Sequence, residues 1–106
     1  MSFILERVPG SVTHFQQIEF GDMKLSIQAS QFHYCSPRLT LASSDEYESF
    51  EVALILQDEW FHPEKDSRFA NTTWAGYWSE YDDVAVGVPR DEIAKMISDL
   101  RAAYSN

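Results

Sequence analysis

One cysteine, four glycines, eight bases and no long apolar run set the first limits on this chain of 106 residues. Cys35 is a lone thiol and has no partner for an internal disulfide, which fits a reducing compartment. With glycine only at 10, 21, 76 and 87, no glycine-rich phosphate loop is present. No stretch approaches the ~20 apolar residues of a membrane-spanning helix. The opening "MSFILERVPG" lacks the form of a signal peptide: no base precedes Phe3-Ile4-Leu5, and Glu6 ends the run. We therefore expect a soluble, cytoplasmic protein.

The scarcity of bases is the strongest compositional signal. Seventeen acids against eight bases leave a net charge of −9. Such a chain is repelled by the phosphates of nucleic acid and by anionic membranes, so neither is an expected partner. A basic surface attracts it, often that of a protein that itself handles nucleic acid. Acidity of this degree also serves plain solubility. Hydrophobic residues make up 44% and aromatics 14%, enough to build a core without metal or disulfide. We expect a single globular domain over 1–106.

The clearest element lies at the C-terminal end. Ile93, Met96, Ile97, Leu100 and Tyr104 repeat at helical spacing after Pro89. Asp91 and Glu92 stand near the positive end of the helix dipole, and Arg101 near the negative end. The pattern predicts a helix over 89–104, roughly 24 Å long, laid on a sheet.

The sheet is written in alternation. "QIEFGDMKLSIQAS" predicts a hairpin turning at Gly21-Asp22, with Phe20 opposite Met23, Ile18 opposite Leu25 and Gln16 opposite Ile27. Phe15 breaks the alternation, as a bulge or a strand end would. "YESFEVALILQ" predicts a central strand with Phe50, Val52, Leu54 and Leu56 on one face. "DDVAVGV" predicts another, with Val84, Val86 and Val88 together. "FILERV" reads as an edge strand, 58–73 as loop, and "WAGYW" over 74–78 as a short strand. The expected fold is α+β: an antiparallel sheet of about four to six strands packed with one C-terminal helix.

Catalytic signals are thin. His33 and Cys35 in "QFHYCSPR" would share a face if extended, and a Cys–His pair can generate a thiolate nucleophile. Neither an oxyanion hole nor an orienting group is visible around them. His14, His33 and His62 are scattered, so zinc spacing is missing. Adjacent acids such as Asp82-Asp83 point to opposite faces of a strand, and no calcium-loop pattern occurs. We expect no metal and no cofactor.

What remains is surface. Residues 45–59 hold six acids and no base; residues 69–89 hold three acids, no base, and Trp74, Tyr77, Trp78 and Tyr81. Aromatics ringed by charge are an interface composition. The expected partner-binding residues are Asp58, Glu59, Trp60, Trp78, Glu80, Tyr81, Asp82 and Asp83. The leading expectation is a non-enzymatic protein-binding module that inhibits a nucleic-acid-binding protein or complex. It would occupy the site of the phosphates, as phage-encoded counter-defence proteins such as anti-CRISPRs can. The alternatives are a homo-oligomeric structural or assembly protein, which light scattering separates from the first, and a small enzyme using Cys35 and His33.

Overall fold

The computed structural model describes residues 5–79 and 82–104. Five strands form one antiparallel sheet: β1 (Ile18–Phe20), β2 (Met23–Gln28), β3 (Ser49–Leu56), β4 (Glu59–Phe61) and β5 (Val84–Pro89). A C-terminal helix, α1 (Arg90–Tyr104), completes the α+β fold. No described helix is long and apolar enough to cross a membrane.

The first hairpin has the predicted register, Ile18 opposite Leu25 and Phe20 opposite Met23. Gly21, at φ +59°, occupies the first turn position, where a type II′ turn needs glycine. The predicted pairing of Gln16 with Ile27 does not form, because β1 begins at Ile18. Phe15 lies before the strand, in an isolated bridge with Arg7, and is neither a bulge in β1 nor its end. Its N–H donates to Gln28 Oε1 at 2.7 Å, and Gln28 Nε2 donates to its carbonyl at 3.0 Å. A side-chain amide thus stands where a partner strand's backbone would, and the Phe15 ring stays buried.

β3 is the centre of the sheet. β2 pairs along one edge, from Met23–Leu56 to Gln28–Glu51. Two strands divide the other edge: β4 takes Leu54 to Leu56, and β5 takes Ser49 to Ala53. Phe50, Val52 and Leu54 have no exposed surface, as expected of a covered central strand.

The turn from β3 to β4 is Gln57-Asp58, with φ +51° and +66°. Both values belong to a type I′ turn, yet neither residue is glycine. Residues 58–73, predicted as loop, thus begin with a strand. Periodicity alone missed it, because β4 is only three residues long.

β5 corrects the predicted alternation. Between the Phe50–Val88 and Val52–Ala85 pairs, β3 has one residue and β5 has two, Val86 and Gly87. Gly87, at φ +62°, takes the left-handed conformation of a bulge. Ala85 and Val88 therefore enter the core, and Val86 is expelled to 48% exposure.

The chain leaves the sheet edge at the end of β4 and rejoins it at β5. His62 Nε2 donates to Asp83 Oδ1 at 3.0 Å, joining the points of departure and return. "WAGYW", predicted as a strand, is a 3₁₀ turn over Trp74–Tyr77 followed by Trp78. Its aromatics continue a ring-to-ring series, Phe61–Phe69–Trp74–Trp78, at centroid spacings of 6.2, 5.4 and 6.3 Å. The helix ties this segment down: Trp74 Nε1 donates to Asp99 at 2.8 Å, and Thr73 Oγ1 donates to Glu92 at 2.6 Å.

"FILERV" does not form an extended edge strand among the described residues. Arg7 makes only an isolated antiparallel bridge with Phe15. Phe3 and Ile4 lie outside the described residues.

The helix begins one residue after its predicted start, since Pro89 closes β5. Arg90 turns back to donate to the carbonyls of Ser44 and Tyr47, anchoring the turn that precedes β3. Ile93, Met96 and Leu100 are fully buried, and Ile97 nearly so.

Two outcomes are expected. Leu100→Ala should cost about 2–5 kcal/mol in a denaturant melt, by lost burial and a residual cavity; a wild-type midpoint would contradict the helix face. Replacing Gln57-Asp58 with Asn-Gly should add about 1 kcal/mol, because those residues enter left-handed backbone at little cost. Urea midpoints of the two proteins measure the gain.

Candidate partner-binding face

Alternation divides the sheet into unlike faces. Met23, Leu25 and Ile27 of β2 and Phe50, Val52 and Leu54 of β3 join the core on the helix side. Lys24, Ser26 and Gln28, with Glu51, Ala53 and Ile55, stand on the other side. Trp60 lies opposite Ile55 and Val84 opposite Ala53, which extends this second face to the divided edge. A groove of about 230 Å³ runs across it, lined chiefly by Gln28, His33, Glu51, Ala53, Ile55 and Trp60.

The polar groups in the groove are partly withdrawn from water. Burial pushes the Glu51 carboxyl above its ordinary range, with Arg38 pulling it partway back. The Glu51 carboxylate makes no hydrogen bond or ion pair among the described residues; Arg38 lies over the Tyr34 ring, 4.4 Å from its centroid. Burial also holds His33 below its ordinary pKa, aided by His14, Arg7 and Arg38. His33 Nδ1 pairs with the buried Ser30 Oγ at 2.7 Å, and the His14 ring meets it edge-on at 5.1 Å.

The Cys–His pair is not assembled. Cys35 Sγ donates to the carbonyls of Ser30 and Pro37, at 3.3 and 3.4 Å, while His33 is committed to Ser30. Burial pushes the Cys35 thiol up, the opposite of thiolate activation. Among the described residues, no three His, Cys, Asp or Glu side chains come together as metal ligands.

The predicted surface residues are partly gathered and partly scattered. Asp58 sits in the β3–β4 turn, with Glu59 and Trp60 following on β4; all three are exposed. Asp82 is exposed and accepts a hydrogen bond from Ser79 Oγ at 3.0 Å. Asp83 reaches the end of β4 through His62. The shared edge of β3 therefore draws 58–60 and 82–83 together along one margin. Trp78 does not belong there. It is 5% exposed and packs against Trp74 in the core. Glu80 and Tyr81 lie outside the described residues.

Other apolar surface went unread in the sequence. Phe32, Tyr34 and Leu39 are more than half exposed. The Tyr34 carbonyl accepts from Gly87 N–H at 3.2 Å, which sets this loop against the β5 bulge. The clustering of turn formers around "QFHYCSP" was the available signal, since aromatics in a turn-rich segment have little sheet to pack against.

Compared with known protein families, curated proteins and solved structures, the chain finds no match.

The two perturbed groups predict opposite trends with pH. Below the ordinary histidine value of 6.5, the unfolded chain binds a proton that buried His33 resists, so stability falls as pH falls through that window. Above the ordinary carboxyl value of 4.5, folded Glu51 retains a proton that the unfolded chain has lost. Glu51 therefore lowers stability at neutral pH, and that loss is recovered as pH falls through its raised folded value. Melts across pH should show His33→Asn flattening the first trend. Glu51→Gln should raise the midpoint near neutral pH and leave it nearly unchanged once both states are protonated.

Proposed function

We propose that the protein is a non-enzymatic binding module that docks on the basic surface of a protein partner through its divided sheet edge. The reading is carried by two acidic stretches on one margin: Asp58 and Glu59 lie at the start of β4, which presents Trp60 at 54% exposure, and Asp83 is bonded to His62 at its end. Burial of an indole within a charged rim supplies residence time, and the rim's field speeds encounter. A basic surface that handles nucleic acid is the natural target of a chain with net charge −9. Occupying it would inhibit phosphate binding, which makes an inhibitor of a nucleic-acid-binding protein or complex the specific reading.

The test uses a partner captured from the source cells. Single exposed charges contribute only about 0–1 kcal/mol each, so two are reversed together. Glu59→Lys with Asp82→Lys is the suitable pair, because it spares the His62–Asp83 hydrogen bond. The variant should remain folded and associate more slowly at low salt. The difference should shrink toward 1 M salt, where the Debye length is about 3 Å. Equal association rates at low salt would reduce these acids to solubility charges.

A further inference from the structure

Glu51, Ala53 and Ile55 follow one another on the helix-free face of β3, one carboxylate and then two apolar side chains. Four residue steps along the strand separate the first from the last, about 13 Å. Trp60 lies beside the apolar end, opposite Ile55. Gln28 of β2 lies beside the acidic end, opposite Glu51. The groove is therefore polar and anionic at one end, apolar and aromatic at the other, and long and narrow between them.

Among the described residues, no lysine or arginine lines this groove, and Lys24 lies opposite Ile55, at the end away from Glu51. Arg38, the base that influences Glu51 most directly, rests on Tyr34 and forms no ion pair with it. The Gln28 amide is spent on Phe15 and Ser26. A carboxylate partly removed from water, with no donor directed at it, is best satisfied by a donor from outside.

We propose that the groove receives a single arginine side chain of the partner, its guanidinium on Glu51 and its stem over Ala53 and Ile55 beside the Trp60 indole. This rests on the docking reading above and names the residue that the partner must present. Arginine fits better than lysine on two counts. Its planar fork matches a carboxylate with two parallel hydrogen bonds. It sheds water more readily than an ammonium group. An acidic or phosphorylated group would meet Glu51 as a like charge.

The probe is N-acetyl-argininamide, a guanidinium with neutral ends, titrated into the full chain and followed by NMR. The reporters are the indole N–H of Trp60 and the side-chain amide of Gln28, with the buried Trp74 and Trp78 indoles as internal references. Saturable shifts confined to Trp60 and Gln28 are expected, with a Kd on the order of millimolar, as suits one side chain. N-acetyl-lysinamide should bind several-fold more weakly. Glu51→Gln, nearly isosteric, and Trp60→Ala, at an exposed edge, should each weaken the probe by roughly tenfold or more. Retained spectral dispersion will show that both variants are folded.

No saturable shift at concentrations well above that Kd, or an undiminished shift in Glu51→Gln, overturns the proposal. Equal binding of the lysine analogue overturns the assignment to arginine. The two readings fail separately. Loss of probe binding with a slowed Glu59→Lys, Asp82→Lys protein removes the groove and leaves the docking edge. Probe binding with an unslowed variant supports the groove and removes the edge.

Discussion

The pairing of β3 along both edges is the constraint on which the rest of the molecule depends. Phe50, Val52 and Leu54 are wholly buried, so the strand cannot slip by one residue without sending its apolar side chains to the wrong face. β2 takes register from one edge. β4 and β5 share the other, and neither is long enough to cover it alone. Because they divide that edge, the chain between them must depart and return at nearly the same place. The His62–Asp83 hydrogen bond marks that place.

The segment released by this arrangement supplies much of the core. Phe69, Trp74 and Trp78 pack ring against ring at tilted and edge-on angles, and the Trp74 indole is satisfied by Asp99 on the helix. An aromatic-rich, acid-flanked stretch therefore separates by position. Phe69, Trp74 and Trp78 go inward, where burial of each removes a large apolar area from water, while Tyr77 stays exposed. The charges of Asp82 and Asp83 stay at the margin. The crowding of acids beside apolar residues in "SEYDDVAVGVPRDEI" follows from the same geometry: a loop end, a bulged strand and a helix start succeed one another there.

Among the described residues, no helix covers the opposite face of the sheet. Its groove joins Glu51, kept short of donors, to the exposed indole of Trp60. In the docking we propose, the acidic edge beside it supplies long-range attraction and the groove supplies shape. On that reading, steering and close recognition fall to neighbouring but distinct parts of one surface, and the charges of the first need not be buried to act.

The sequence by itself determined the elements whose signal is local. The C-terminal helix follows from five apolar positions at helical spacing, and the first hairpin from alternation on both sides of Gly21. The central strand was legible because its apolar face is long. Gly87 carried the sign of the β5 bulge, but the run of valines outweighed it. Only the tertiary structure decided which aromatics are surface. Trp60 and Trp78 stand in similar acidic surroundings in the chain, yet one is exposed because β4 is an edge strand, and the other is buried because the turn over 74–78 packs into the core. It alone decided, too, that Asp58 and Asp83 border the same margin and that Glu51 shares a groove with Trp60. These relations depend on which strands meet across β3. Hydrophobic periodicity records the face on which a residue lies and carries no information about the strand that will lie beside it.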